Sequence, residues 1–414
     1  MTPEVQERIE QIRHGIVPEG YKRTKSGIYP EDWTEYTLGD IYTERKEPGN
    51  ESLPLLMVSI HSGVSDGEVD EEDLPKKVKR IEDKSQYKRA ATGDLVFNMM
   101  RAWQGAIGTV RTEGMVSPAY IVAEPNKLVD PLFMDYLMRT PRMVGTIHKQ
   151  SYGVTDFRLR LYWDSFAPIH CVLPSVPEQE KIGEAVDIQN KIIDLKEKLL
   201  AEKQRQKKYL MQQLLSGKKR LPGFDGEWMY VRANQIFKNV TDKQHDGTLE
   251  VLSATQDRGI IPRSQVYIDI KYAEESLTGY KKVEKGNFVI SLRSFQGGIE
   301  YSEYSGIVSP AYTVLSSISP IEDNYYKQFF KSTDYISRLN IAVYGIRDGK
   351  QISYNDFGRI KIPYPPLDEQ KAIATILSTA DKEIDILKQA IEQEKQKRKA
   401  LMQLLLTGIV RVNA

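Results

Sequence analysis

The sequence is poor in the residues that build disulfide frameworks, membrane spans and metal centres. Cys171 is the only cysteine in 414 residues, which excludes an intrachain disulfide and suits a reducing compartment. No apolar run approaches the ~18 residues of a membrane-spanning helix, and no signal peptide is recognisable, so we expect a cytoplasmic protein. The five histidines show no spacing typical of metal ligands. The sequence therefore predicts no metal and no cofactor in this chain.

An excess of one charge and the common catalytic motifs are missing as well. The net charge is +1, so any surface for nucleic acid must come from basic residues that are segregated in space. No P-loop, GxGxxG or GxSxG motif stands between a predicted strand and a helix. Ser-Pro-Ala-Tyr, at residues 117–120 and 309–312, resembles the Asn/Asp/Ser-Pro-Pro-aromatic motif of amino-methyltransferases, but alanine replaces the second proline in both copies. We expect a turn that enters a strand there.

Two stretches are each typical of one long helix. Residues 177–217 begin with a proline that has no N–H to lose at a first helical position, carry glutamates in the first turn and end at a glycine. Residues 369–408 repeat this pattern at an offset of 191 residues, from Glu369-Gln370 to Gly408. At 1.5 Å per residue, about 40 residues give a rod of ~60 Å.

Heptad-spaced apolar residues on these stretches predict that the two helices pair with each other. The apolar stripe is wide enough to cover one helix and leave a face on which another protein subunit could dock. The residues that we expect in helix pairing and subunit docking are Ile182, Ile192, Ile193, Leu199, Leu200, Leu210, Leu214, Ile373, Ile384, Leu387, Ile391, Leu401 and Leu405.

The segments between the helices are also copies of each other. Residues 101–107 match 293–299, and residues 114–120 match 306–312, both at an offset of 192. Residues 15–17 resemble 408–410, so the repeat is circular, and the N-terminal helix continues the pattern of the C-terminal one. We therefore predict an α+β fold, in which two similar globular domains are joined by two long antiparallel helices with a pseudo-two-fold axis.

This organisation divides the chain into five segments. They are an N-terminal helix (1–20), a first globular domain (21–174), a central long helix (175–217), a second globular domain (218–366) and a C-terminal long helix (367–414).

Candidate nucleic-acid contacts fall into two groups. The paired Arg101/Arg293 and Gln104/Gln296 suit base edges, but their presence in both copies favours a role in the scaffold or on phosphate. Where the copies differ, basic residues interleave with tyrosine, which suits DNA contact, although ordinary variable loops have the same composition. The full candidate set is Lys76, Lys77, Lys79, Arg80, Lys88, Arg89, Arg101, Gln104, Arg158, Arg160, Arg258, Arg263, Lys281, Lys282, Arg293, Gln296, Arg347 and Lys350.

Together these elements resemble the specificity subunit of type I restriction-modification enzymes, over essentially the whole chain. The resemblance is carried by Gly-Ile-Tyr-Pro-Glu-Asp-Trp at 27–33, Met-Arg-Ala-Trp-Gln-Gly at 100–105 and both Ser-Pro-Ala-Tyr elements. It also rests on Pro-Glu-Gln-Glu-Lys-Ile at 177–182, Asp-Glu-Gln-Lys-Ala-Ile at 368–373, and the helix ends at 210–217 and 401–408.

The resemblance implies a subunit without catalysis of its own. Each globular segment would be a target recognition domain for one half of an asymmetric, bipartite DNA site. The helices would set the spacer and dock two modification (methyltransferase) subunits. S-adenosylmethionine, ATP and Mg would be bound by the modification and restriction (translocase/nuclease) subunits. The alternatives are a self-contained DNA adenine methyltransferase with a fused recognition domain and a coiled-coil scaffold that does not bind DNA.

Overall fold

A computed structural model describes residues 2–65, 83–155, 158–266, 274–342 and 352–412. The chain divides into two units. Unit 1 comprises residues 1–195 and 391–414, and unit 2 comprises residues 196–390. Each unit therefore contains one sheet-based domain together with one half of each long helix. The predicted α+β fold is confirmed, and the strand order of the domain is the same in the two units, as the internal repeat predicts.

Unit 1 is built around a four-stranded antiparallel sheet of order β4-β11-β8-β9, with small two-stranded sheets beside it. Its strands are β1 (Tyr21–Thr24), β2 (Gly27–Pro30), β3 (Thr34–Thr37), β4 (Tyr42–Arg45), β5 (Val58–Ser59), β6 (Gly63–Val64), β7 (Lys88–Ala90), β8 (Leu95–Asn98), β9 (Ile107–Thr109), β10 (Gly114–Val116), β11 (Tyr120–Pro125) and β12 (His170–Leu173). Its helices are α1 (Pro3–Arg13), α2 (Leu38–Ile41), α3 (Pro131–Met138), α4 (Pro141–Gln150), α5 (Trp163–Phe166) and the first half of α6 (Val176–Leu214), with 3-10 turns at Lys84–Gln86 and Ala102–Gln104.

Unit 2 has the equivalent sheet in the order β14-β21-β18-β19. Its strands are β13 (Met229–Arg232), β14 (Phe237–Val240), β15 (Leu252–Thr255), β16 (Gly259–Pro262), β17 (Lys281–Val283), β18 (Phe288–Ile290), β19 (Glu300–Tyr301), β20 (Gly306–Val308), β21 (Thr313–Ser317) and β22 (Lys361–Tyr364). Its helices are α7 (Ser294–Gly297), α8 (Asp323–Phe329), α9 (Thr333–Ala342), α10 (Tyr354–Arg359) and the first half of α11 (Leu367–Leu405), with 3-10 turns at Ala233–Gln235, Arg263–Gln265 and Glu274–Gly279.

The central strand of each sheet is buried on both faces. In β8, Leu95 and Phe97 join the main core, while Val96 joins a second cluster on the opposite face. In β18, Phe288 and Val289 divide in the same way. Because neighbouring residues of a strand point to opposite faces, a continuous apolar run is needed wherever both faces are covered.

The two long helices, α6 and α11, are each 39 residues long and pair antiparallel within each unit. In unit 1, Gln189 Nε2 donates to Glu394 Oε2 at 2.7 Å. In unit 2, Lys203 Nζ lies 2.8 Å from Glu383 Oε2. The early part of one helix thus faces the late part of the other in both units, which confirms the predicted antiparallel arrangement.

Most of the predicted pairing residues are buried or half-buried. Ile182, Ile193, Leu214, Ile373, Ile384, Ile391 and Leu405 are buried, and Ile192, Leu200, Leu210, Leu387 and Leu401 are half-buried. Leu199 is 48% exposed in this chain, and its assignment to helix pairing and subunit docking stays a prediction.

Each unit contains a buried ion pair at the point where one long helix starts and the other ends. In unit 2, Arg220 Nε and Nη2 donate to the carboxylate of Glu369 at 2.6 and 2.7 Å, and Trp228 Nε1 donates to it at 2.8 Å. Glu369 is fully buried. The Arg220 guanidinium also lies 5.3 Å from the centre of the Trp228 ring, a cation–π distance.

Unit 1 contains the same arrangement with the chain segments exchanged. Arg411 Nε and Nη2 donate to buried Glu178 at 2.7 and 2.8 Å, and its other contacts reach Asp32 at 2.7–2.8 Å and the Trp33 ring. The hydrogen bonds from Arg411 hold the pKa of Asp32 below its usual value. Arg411, which follows α11, therefore belongs to unit 1 through these contacts, as the circular repeat predicts.

The Arg220–Glu369 pair yields a stability prediction. Arg220→Met leaves a buried carboxylate without its cation, so the free energy of unfolding of unit 2 falls by about 3 kcal/mol. Arg205→Met is the control, because it removes an arginine from an exposed pair with Glu202 on α6. We expect it to change the free energy of unfolding by less than about 0.5 kcal/mol. Urea denaturation of both variants measures the difference, and equal losses would contradict the role assigned to this pair.

Candidate nucleic-acid interface

The two Arg-x-x-Gln segments form equivalent turns directly after the central strands. Arg101 and Gln104 follow β8, and Arg293 and Gln296 follow β18. Gln104 N donates to Arg101 O at 2.9 Å, and Gln296 N donates to Arg293 O at 2.9 Å. Both turns therefore begin alike, and they continue as a 3-10 turn at Ala102–Gln104 in unit 1 and as the short helix α7 in unit 2.

The side chains of each turn divide between the core and the solvent. Ala102 and Ser294, the residues after the arginines, are buried. Arg101, Gln104, Arg293 and Gln296 are exposed. The inward residue fixes the turn on the sheet, so the arginine and the glutamine are presented to solvent together. Four of the predicted candidates are thus brought into two matching pairs.

A glycine with positive φ closes each turn. Gly105 has φ of 103° and Gly298 has φ of 81°. At Gly298 a Cβ atom would lie 2.0 Å from the carbonyl oxygen of Phe330, so the backbone of the turn packs directly against the end of α8. Only glycine meets both requirements.

A hairpin lies beside the turn in each unit. In unit 2, the residues between β15 and β16 carry Gln256, whose side chain comes within 2.8 Å of where a Cβ of Gly297 would stand. In unit 1, the carbonyl oxygen of Ile60 lies 3.6 Å from the equivalent position at Gly105. The hairpin turn of unit 2 also bears Arg258, an exposed candidate that contacts Gln265 O at 3.3 Å.

The Ser-Pro-Ala-Tyr elements form the expected turns into strands. Tyr120 N donates to Ser117 O at 2.9 Å and Tyr312 N donates to Ser309 O at 3.0 Å, immediately before the strands continue. Tyr120 packs against the smaller core cluster of unit 1, and Tyr312 packs against that of unit 2.

Lys88 and Lys281 support these turns from inside the domain. Lys88 Nζ donates to Tyr120 O at 2.7 Å, and Lys281 Nζ donates to Tyr312 O at 2.6 Å. Burial lowers the pKa of both ammonium groups. Strands β7 and β17 pair with β10 and β20 next to the turns, which brings the lysines to those carbonyls. The two lysines therefore have structural partners, and a contact with DNA stays a prediction for them.

Two further candidates of unit 2, Arg263 and Arg293, act on the pKa of Tyr312. Burial raises the pKa of Tyr312, and the positive charges of Arg263 and Arg293 act on it in the opposite direction. Arg263 lies in a 3-10 turn after β16.

The remaining described candidates lie at the surface, and most are held by neighbouring groups. Arg89 donates to Glu47 and Glu113 at 2.6 and 2.7 Å. Lys282 lies 3.5 Å from Asp242. Arg160 Nη1 lies 3.3 Å from the Tyr162 hydroxyl, and Arg158 is exposed nearby.

Six candidates lie outside the residues that the structure describes. They are Lys76, Lys77, Lys79, Arg80, Arg347 and Lys350.

The part of the chain that the structure describes contains no group of three or more His, Cys, Asp and Glu side chains that could hold a metal ion. Cys171 is buried, and burial raises the pKa of its thiol to about 12, so the thiol is neutral near pH 7. None of the described helices is long and apolar enough to cross a membrane.

Two cations beside the turns were missed by the sequence analysis. Lys331 Nζ donates to Gln256 O and Gly297 O at 3.2 and 2.9 Å, so it touches both the hairpin and the turn. Arg139 occupies the equivalent place in unit 1, beside Gly63. The signal was available, because the two cations align at the offset of 192, but neither lies in a basic cluster.

Comparison with known proteins identifies a matching domain model and similar proteins. A model described as "Type I restriction modification DNA specificity domain" matches residues 226–395. A putative type I restriction enzyme MjaX specificity subunit of Methanocaldococcus jannaschii is 24% identical over 95% of this chain and 97% of its own length.

Solved structures have the same fold. The HsdS subunit from Thermoanaerobacter tengcongensis superposes with a TM-score of 0.51 at 19% identity, covering 92% of this chain and 98% of that one. A type I restriction-modification system S subunit from M. genitalium gives a TM-score of 0.54 at 14% identity, covering 90% of this chain and 96% of that one.

Two duplicated sheet-based domains and two long antiparallel helices are the architecture that this chain shares with those solved structures. The chain is similar over nearly its whole length to a specificity subunit of a type I restriction enzyme, and residues 226–395 match the type I DNA specificity domain. In this family the catalysis lies in partner subunits.

The close approach at Gly298 yields a prediction for the turn. Gly298→Ala introduces a Cβ at positive φ against a backbone oxygen, so unit 2 loses more than ~2 kcal/mol of its free energy of unfolding. Gly226→Ala is the matched control, because nothing lies within 4 Å of its Cβ position, and its change stays within about 0.5 kcal/mol. Thermal and urea unfolding measure both variants, and a neutral Gly298→Ala would contradict the packing described.

Proposed function

We propose that this chain directs a type I restriction-modification complex to an asymmetric, bipartite DNA site, with the domain of each unit recognising one half. The observation that carries the proposal is the repeated turn that exposes Arg101 and Gln104 in unit 1 and Arg293 and Gln296 in unit 2. Arginine forms two hydrogen bonds with guanine, glutamine does so with adenine, and both also bind phosphate. Double-stranded DNA is therefore the partner that these turns fit.

Shared and variable residues take different parts in this proposal. The four turn residues are common to both units, so they orient the duplex in the same way on each domain. Discrimination between half-sites falls to the segments in which the units differ, residues 62–89 and 255–282. Arg258 and Arg263 belong to the second of these segments.

We further propose that α6 and α11 set the spacer and dock two modification subunits. Each helix runs for 39 residues, ~58 Å at 1.5 Å per residue, whereas one turn of DNA measures ~34–36 Å. Ile188, Leu195, Leu199 and Ile386 remain exposed on these helices, which favours a protein partner there. S-adenosylmethionine, ATP and Mg would bind to the modification and restriction subunits.

An exchange of domains tests the proposed division of labour. Residues 218–366 are replaced by the corresponding segment of a relative with a different DNA site, and the chimera is assembled with the modification subunits. We expect one half of the methylated sequence to change, because the other recognition domain is intact. The reciprocal exchange of residues 21–174 is the control and alters the other half. Methylation that ignores both exchanges would contradict the proposal, as would methylation by the isolated chain.

A paired insertion tests the spacer. Four residues, about one helical turn, are inserted before Lys203 and again before Glu394, the equivalent place in α11. Each helix lengthens by ~6 Å, so the accepted spacer grows by about two base pairs at ~3.4 Å each. An insertion of four residues at Gly226, outside the helices, leaves the spacer unchanged. A folded, active double insertion with the original spacer would refute this part of the proposal.

A further inference from the structure

A single cation lies against the hairpin of each unit, at equivalent positions of the repeat. Arg139 follows α3, and Lys331 follows α8, 192 residues later. Each immediately precedes the first residues of the next helix, α4 or α9. Both side chains are half-buried, unlike the exposed arginines and glutamines of the turns.

The Lys331 ammonium has three acceptors, which matches its three N–H donors. Two of them are backbone carbonyls, Gln256 O at 3.2 Å and Gly297 O at 2.9 Å. The third is the carboxylate of buried Glu300 at 2.5 Å. Gln256 lies in the hairpin turn that bears Arg258, and Gly297 lies in the turn that bears Arg293 and Gln296. One side chain thus joins both elements.

Unit 1 shows that a cation occurs at this position even where no carboxylate corresponds to Glu300. Position 108, which aligns with Glu300, is a glycine. Arg139 nevertheless lies over the hairpin, since a Cβ at Gly63 would be 2.5 Å from its Nη1. The feature common to both units is therefore a cation against the hairpin, whereas the carboxylate is specific to unit 2.

Building on the proposed function, we propose that Lys331 is a positioning residue for DNA recognition. It fixes the hairpin turn of residues 256–258 against the turn of residues 293–297, so that both elements meet the same half-site in register. Recognition of base edges requires side chains held to within about half an ångström, and two surface elements that move independently do not provide this. Lys331 acts through Arg258, Arg293 and Gln296 and does not contact DNA itself.

The test compares variants of the full chain assembled with its modification subunits. Lys331→Met removes all three contacts. Lys331→Arg keeps a donor at the same place. Lys327→Met is the matched control, because it removes a lysine of the same helix that pairs with Glu303 at the surface. Methylation is measured on the cognate site and on sites with single substitutions in either half.

We expect Lys331→Met to reduce discrimination against mismatches about tenfold in the half-site recognised by unit 2 and to leave the other half unchanged. Lys331→Arg restores most of the discrimination, and Lys327→Met matches the wild-type chain. Discrimination by Lys331→Met that equals wild type at both halves would overturn the inference. A wild-type complex that methylates without sequence preference would overturn the proposed function as well, so the two failures are distinguishable.

A second comparison covers the case in which Lys331→Met unfolds because Glu300 is left charged and buried. Glu300→Gln removes that charge while Lys331 keeps both carbonyl contacts, and Glu300→Gln with Lys331→Met loses the contacts without leaving a charge. We expect only the double variant to lose discrimination and to show faster amide hydrogen exchange in residues 252–262. Equal discrimination and exchange in the two variants would overturn the inference.

Discussion

The fold depends on one interaction that occurs twice, the pairing of a buried glutamate at the start of one long helix with an arginine just beyond the end of the other. Glu369 pairs with Arg220, and Glu178 pairs with Arg411. A carboxylate without solvent contact requires a partner, so each helix start is tied to the opposite helix end. This constraint explains the antiparallel pairing, and it explains why the last residues of the chain complete the first unit.

The parts of the fold that depend on local or periodic signals could be predicted from the sequence. A long helix is indicated by heptad-spaced apolar residues in a run without an interior proline, between a proline at the start and a glycine at the end, and both α6 and α11 have this pattern. The Ser-Pro turn before Tyr120 and Tyr312 is also local. The internal repeat predicted two similar domains, because an offset of about 192 residues identifies equivalent positions without knowledge of their contacts.

The side-chain partners could not be predicted in the same way. Lys88 lies in a basic run that suits DNA, yet its ammonium binds the carbonyl of Tyr120, 32 residues away. Lys331 joins Gln256 and Gly297, which are 75 and 34 residues away. Such contacts exist only after the sheet has formed, and composition does not distinguish a lysine with an internal acceptor from one that faces a phosphate. The repeat offered the missing signal, since both lysines have a cation at the equivalent position of the other copy.

The central claim is that two equivalent units recognise the two halves of one split DNA site. Its most direct test is the sequencing of methylated adenines in DNA from cells that carry this chain with its modification subunits. We expect a single motif of two specific half-sites separated by a spacer of fixed length and unspecified sequence. A continuous motif, half-sites at variable separation, or the same methylation after the chain is removed would contradict it.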